Sequence, residues 1–356
     1  MKTEFLIFSD LHAHNFTYGA KKVEIEGFSG LFNSRLADTI KVLDEIEEYA
    51  ASHDITDVLF GGDLFHTRAS VPTDVRSLVV RRLQRFKRKD ITLHMLVGNH
   101  DMGDKWGYVH SLDGLNSEEI QVFGDVGCSW IRQVQVVGVP YTPSIDTAKE
   151  WLSDAAEVAT AWDGPSILLA HLGMQGARVG SDYVMMSESD IRVEDINKQA
   201  FTACFFGHFH EHQQLFENGW FIGASHEHNW GDAGGKRGFL HVTVEGDSKD
   251  ASVSFKRVET DAPKHIVSKE GAEAGARPQD FLRVVGSPAF VQAHQQENPD
   301  AHVEYIPVEP NKAEDFHLDV DKLNIDDMVE SWVSVRGGEF NYNDLVQTAK
   351  ELLSGE

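Results

Sequence analysis

Imidazole, carboxylate and amide side chains recur in five short segments of this chain. They are Asp10-Leu11-His12, Gly61-Gly62-Asp63, Gly98-Asn99-His100-Asp101, the lone His171, and Gly207-His208-Phe209-His210. Each follows a short apolar run, at 5–8, 58–60, 93–97, 167–170 and 203–206. Runs apolar on both faces and ended by a polar or Gly-rich turn read as strands buried between layers. Open sheets present ligand-binding groups outside the carboxyl ends of their strands, so the five segments can meet at one edge. A donor set without thiolate suits manganese, iron or zinc. It suits two ions better than one, because the Asp63 carboxylate can span both. Singly the motifs say little, since Asp-x-His or Gly-Asp after a strand is commonly a plain turn. The ordered set of five, each behind a strand, carries the dinuclear reading.

Such a site fits phosphodiester hydrolysis. Two cations roughly 3.5–4 Å apart neutralise phosphate oxygens, acidify a bound water and align it for attack. The departing alkoxide needs a proton, which a histidine can supply near neutral pH. His100, beside Asn99, is placed for that role.

The five segments resemble the calcineurin-like metallophosphoesterases, over residues 5 to about 258. The resemblance implies an α/β fold, a four-layer αββα sandwich of two mixed sheets. It implies a first metal ion on Asp10, His12, Asp63 and His210, and a second on Asp63, Asn99, His171 and His208. His100 would be the proton donor, with Asp101 holding its ring. Further residues narrow the branch: Gly61-Gly62-Asp63-Leu64-Phe65-His66, Gly223-Ala224-Ser225, Asn229-Trp230-Gly231-Asp232 and Lys236-Arg237-Gly238-Phe239. These resemble SbcD-type double-strand-break repair nucleases, phage versions included. Protein Ser/Thr phosphatases carry Glu in place of Asp101 and lack the Phe-His extension. The branch implies manganese, 3′-to-5′ exonuclease and single-strand endonuclease activity on DNA, an SbcC-type ATPase partner and a homodimer in the cytoplasm (of the host, if phage-encoded). In that family His66 lies near the substrate phosphate; a helix-capping or core role stands beside this. Ala224 departs from the family pattern. So do His226 and His228, read here as surface residues, with extra substrate contacts as the alternative.

The elements that must hold these residues are also legible. Helical apolar spacing marks helices at 34–51 and 73–89, and further strands are expected at 130–139, 220–222, 239–244 and 253–258. A phosphoesterase domain at 1–260 would be followed by a linker at 261–278, a small α+β capping domain at 279–320 and C-terminal helices at 321–356. Those helices, at about 324–334 and 342–354, could dock the ATPase or pack on the cap.

The net charge is −25, from 57 acidic and 32 basic residues among 356. That argues against non-specific adhesion to nucleic acid or anionic membranes. One basic set, Arg68, Arg76, Arg81, Arg82, Arg85, Lys87, Arg88 and Lys89, is either a DNA contact or a solvated helix face. The 14–33 loop carries Phe16, Tyr18, Phe28 and Phe32 with Lys21 and Lys22. That combination suits base stacking, a lid or a dimer contact. Cys128 and Cys204 read as two buried free thiols. No apolar run is long enough to span a membrane, and the first residues read as a strand rather than a signal peptide. A rival reading keeps the chemistry but makes the substrate a small phosphodiester or phosphate ester, which the acidic surface favours. A scaffold with a decayed site is opposed by the complete ligand set.

Overall fold

The computed structural model describes residues 1–307 except 69, 105–106, 180–182, 185–189 and 298–301. The expected C-terminal helices and residues 308–320 of the expected cap lie outside the described residues. Met1–Pro307 form one compact unit.

Two six-stranded mixed sheets make its centre. In the first, Lys2–Phe8, Asp57–Phe60, Thr92–Leu96 and Ile120–Phe123 run parallel. Phe239–Glu245 and Ser252–Val258 complete it antiparallel to their neighbours on the far side of Lys2–Phe8. In the second, Val134–Val139, Ser166–His171, Ala203–Gly207 and Gly219–Phe221 are parallel. The antiparallel strands Gly127–Ile131 and Gln213–Phe216 form its edges.

Four layers follow from the two-residue alternation of strand side chains. Phe5, Ile7, Leu59, Ile167, Leu169 and Phe205 pack between the sheets. Leu6, Phe8, Val58 and Phe60 turn outward onto Leu36, Ile40, Val79 and Leu83 of the helices Ser34–Ser52 and Thr73–Arg88. On the other side Leu168, Ala170, Cys204 and Phe206 meet Ala148, Leu152 and Ala155 of a third helix, Ile145–Thr160. Strands apolar on both faces therefore sit between two layers, as their sequence pattern requires.

The expected strand at 130–139 is instead a hairpin, Gly127–Ile131 and Val134–Val139, turned at Arg132, whose φ is 55°. The expected linker carries the strand His265–Lys269. It pairs in parallel with Phe281–Gly286, which pairs in parallel with His302–Pro307. The apolar part of that first strand is only Ile266-Val267 between polar residues, too short to announce itself. Among the described residues no helix is long and apolar enough to cross a membrane. Cys204 is buried but Cys128 is exposed, and neither is in a disulfide.

Candidate metal centre

The candidate residues sit at or just after the ends of five parallel strands, Lys2–Phe8, Asp57–Phe60 and Thr92–Leu96 of the first sheet and Ser166–His171 and Ala203–Gly207 of the second. The backbone there is strained. Asp10 (φ 52°), His12 (45°), Asp63 (63°) and His208 (98°) are four of the seven non-glycine residues with positive φ among those described. Each such residue costs on the order of 1–3 kcal/mol and persists only when its surroundings fix it, a condition that clusters at functional sites. Hydrogen bonds supply that fixation. Asp10 N–H donates to Gly62 O (3.0 Å), His12 N–H to Asp63 O (3.0 Å) and Ala13 N–H to Leu64 O (2.9 Å). The loop after the first strand is thus laced to the loop after the second. Gly98 closes the third loop against them: a Cβ there would overlap the Asp63 carboxylate and backbone nitrogen.

The side chains converge in two groups that share Asp63. Ligand atoms of Asp10, His12 and Asp63 lie within 4.8 Å of one another, as do those of Asp63, His171 and His208. His210 Nε2 joins the first group, 3.2 Å from His12 Nε2. Asn99 Oδ1 joins the second, 3.0 Å from His171 Nε2 and 2.9 Å from His208 Nδ1. Neighbouring groups fix two of these rings. His171 Nδ1–H donates to Gly61 O (2.6 Å), and His210 Nδ1 pairs with Asp232 Oδ1 (2.9 Å), leaving both Nε2 atoms to the site. Such partners orient imidazoles for metal binding.

The electrostatics fit cations. Burial holds His12 and His228 well below the ordinary imidazole value and His208 at about 3, so these rings are neutral and able to ligate. His171 behaves oppositely. Burial opposes its charge, but Asp63 and Asp10 outweigh burial and push it up to about 9. The carboxylates recruit positive charge where an ion could sit. The Asn99 amide has two orientations here: with Oδ1 inward it faces His171 Nε2 and His208 Nδ1, and turned over its NH₂ faces those nitrogens and Asp63 Oδ2 (3.2 Å) while its oxygen accepts from Arg68 Nη2 (2.9 Å). The cluster is able to hold metal ions.

The calcineurin-like phosphoesterase family model matches residues 3–212. The chain belongs to that family. The phosphoesterase is 23% identical over 213 residues to the DNA double-strand break repair protein Mre11 of Sulfurisphaera tokodaii, a match covering 59% of this chain and 49% of that protein. It thus spans about half the length of this curated relative. Similar solved structures include a dimetal phosphatase from Danio rerio, at 12% identity and TM-score 0.46, covering 72% of this chain and 98% of the other. Another is described as a 5′-nucleotidase from Staphylococcus aureus in complex with alpha-ketoglutarate, at 13% identity and TM-score 0.41, covering 73% and 54%.

Around the phosphoesterase's donor cluster, His100 and His66 stack with centroids 5.4 Å apart. His100 Nδ1–H donates to the His66 carbonyl (2.6 Å). The Asp101 carboxylate therefore does not hold the His100 ring, contrary to the expectation. It is wholly buried and accepts backbone N–H groups of Asp63 (2.8 Å), Leu64 (3.0 Å) and Gly98 (3.0 Å), with Ser111 Oγ at 3.1 Å. Its work is to tie the second and third loops together. Burial and the Asp63 charge push Asp101 up to about 7, against the pull of those N–H bonds.

His226 and His228 are buried rather than on the surface. His228 Nε2–H donates to Asp10 O (2.9 Å), and its ring lies 5.0 Å from His12 and 5.1 Å from His210. Asp232 and Arg237 were legible only as parts of motifs. Asp232 holds His210, and Arg237 donates to the carbonyls of His210 and Asp232. Four of the eight residues of the expected basic patch are neutralised by carboxylates. Arg82 and Arg85 pair with Asp44, Arg85 and Lys89 with Glu47, and Lys87 with Glu119.

Proposed function

We propose that this phosphoesterase is a metal-dependent DNA nuclease, SbcD-like, that processes ends and single strands in repair or recombination with an SbcC-type ATPase. The observation that carries this reading is the placement of the Asp63–His66 extension. It sets His66 against His100 at the edge of the donor cluster, and Phe16 of the 14–33 loop lies 4.9 Å beyond it. An aromatic ring beside His66 suits a nucleotide chain. The similarity to the archaeal repair protein supports the same substrate class.

In this reading Asp10, His12, Asp63 and His210 hold one divalent ion, and Asp63, Asn99, His171 and His208 the other, manganese being the proposed metal. When bound, the pair supplies charge neutralisation at the phosphate and an acidified water. The chain's own groups do the rest. His100, fixed through Nδ1 by the His66 carbonyl, turns Nε2 toward the cluster and gives a proton to the departing sugar oxygen. Burial and the neighbouring His100 hold His66 at about 4, so it stays neutral and can accept or donate a hydrogen bond beside the phosphate. Asp101 keeps Asp63 and Gly98 in register. Residues 1–260 would form the nuclease domain and 279–320 a cap. The segment 321–356 would dock the ATPase, and the whole would form a homodimer.

A small-ester phosphodiesterase is the second reading, favoured by the net charge of −25 and the paired basic helix. One assay separates them: manganese-dependent cleavage of labelled duplex ends, of a single strand and of a generic bis-ester. DNA cleavage that falls by about 10²–10⁴ in His100→Ala, the usual contribution of a general acid, supports the nuclease. Ester cleavage without DNA cleavage at low and moderate salt selects the second reading.

A further inference from the structure

One carboxylate and one phenol border the second donor group with no task in the mechanism above. Asp190 packs on Gly173, two residues beyond His171. A Cβ on Gly173 would overlap the Asp190 carboxylate and touch the His208 ring, so the two side chains flank one glycine. Backbone pairing holds Asp190 there: Ile191 N–H donates to Gly173 O (3.0 Å) and Gln175 N–H to Ile191 O (2.9 Å). Asp190 Oδ2 is shut off from solvent and accepts no hydrogen bond. Burial pushes the carboxyl up from its ordinary value, with no hydrogen bond or cation among the described residues to pull it back. A buried acceptor left unpaired is costly, and native structures rarely leave one without a partner. Tyr141 stands on the same side. Its half-buried ring lies over His208, with centroids 5.9 Å apart and planes inclined by 24°. Its hydroxyl has no hydrogen-bond partner among the described residues. Burial pushes that hydroxyl up from its ordinary value, and the Asp190 charge adds to the push.

We propose that Asp190 and Tyr141 form a subsite for the sugar of the nucleoside that stays on the phosphate, Asp190 accepting from a free sugar hydroxyl and Tyr141 packing against the sugar. The proposal rests on the reading of the site as a nucleotide phosphodiesterase with His100 as its acid. His100 stands beside His12 of the first donor group, with centroids 4.7 Å apart, so the departing alcohol leaves on that side. Asp190 and Tyr141 border His208 of the second group, the side left to the retained alcohol. An ionised carboxylate only accepts, so its partner must be a donor. A deoxynucleoside inside a chain has both sugar oxygens esterified. Only a chain end offers a free hydroxyl, and the contact therefore favours removal of terminal nucleotides over internal cleavage.

The test uses the full-length, manganese-loaded protein and its Asp190→Ala and Tyr141→Ala variants. Bound metal per chain is counted. Calorimetry gives the affinity for thymidine 5′-monophosphate, for its 3′-deoxy analogue and for deoxycytidine 5′-monophosphate. The wild type should bind thymidine 5′-monophosphate about 10- to 100-fold more tightly than the 3′-deoxy analogue, the range for a hydrogen bond to a charged group. Asp190→Ala should keep its metals and lose that preference. Tyr141→Ala should weaken both thymidine ligands alike. Equal affinities in the wild type, a preference that survives Asp190→Ala, or an unchanged affinity in Tyr141→Ala overturns the proposal. So does a loss of metal in Asp190→Ala, because the carboxylate would then serve the metal centre itself. A preference for the cytosine ligand that vanishes in Asp190→Ala, with no hydroxyl effect, would assign Asp190 to a base amine and overturn the sugar subsite. A hydroxyl preference that depends on Asp190, in a protein that leaves DNA intact, would reject the nuclease reading alone.

Discussion

At the scale of single residues the site depends on a few groups that never meet a ligand. Asp101 shows this most clearly. The family resemblance, carried over motif by motif, implied that it holds the ring of the adjacent His100. The chain turns between the two residues, and the carboxylate points back into the second loop. Adjacency in sequence says nothing of side-chain direction in a turn, which is why this role was misread. Types and order were enough for the donors, because each sits at a fixed offset from a strand end. His228 and Asp232 were harder: both lie in the segment after the strand Gly219–Phe221, and only the fold brings that segment against His210. The Asp101 reading has a direct check. In Asp101→Asn one acceptor oxygen becomes an NH₂ group facing a backbone N–H. A lost bond and an unsatisfied buried donor should cost about 2–3 kcal/mol in denaturant unfolding. Metal retention should fall with it, because Asp63 loses its anchor. A variant that keeps its stability and its metal, and shifts only the pH–rate profile, would restore the ring-holding role.

At the scale of elements, the buried strands and the first two helices were readable because each is a long or strongly patterned unit. The short strand His265–Lys269 and the helix Pro288–Glu297 were not, since their identity comes from parallel pairing and a crossover. The helix Ser34–Ser52 also carries a cost that periodicity does not reveal. Its Asp38 lies between Arg35 and Lys41 in sequence, yet burial outweighs both charges and pushes the carboxyl up to about 6. The folded chain thus binds this proton more tightly than the unfolded one. Stability should therefore fall as pH rises from about 4 to about 6, and stay lowered above that. Asp38→Asn removes the penalty. Relative to wild type, it should gain at most about 3 kcal/mol at pH 8, from roughly two units at 1.36 kcal/mol each, and almost nothing at pH 4. Chemical denaturation at the two pH values measures this. An equal effect at both would mean that Asp38 acts through hydrogen bonding or packing rather than charge.

At the scale of the whole molecule, the acidity that sits oddly with the proposed action on DNA has a structural counterpart. The basic helix Thr73–Arg88, with the Lys89 that follows it, spends part of its charge within the fold, Arg82, Arg85, Lys87 and Lys89 pairing with Asp44, Glu47 and Glu119. What remains near the centre is Arg68, with Lys21 and Lys22 exposed on the adjoining loop. A DNA path that uses only these three cations neutralises two or three phosphates, whereas one that also recruits the exposed Arg76, Arg81 and Arg88, which have no carboxylate partner among the described residues, neutralises more. On the first path, binding to duplex DNA by this chain alone should show a logarithmic salt slope no steeper than about −3, near −0.9 per phosphate. Between 50 and 200 mM salt that means a loss of affinity of at most about 60-fold, against 10³–10⁵ for a protein making six to ten contacts. A partner that supplies the missing cations should steepen the slope, so the titration is run with and without the ATPase. A steep slope for the chain alone would show a continuous basic track on its surface and remove the need for a partner to bring DNA in. A shallow slope that the ATPase leaves unchanged would count against a shared DNA path, and the small-ester reading would then account better for a phosphoesterase with this surface.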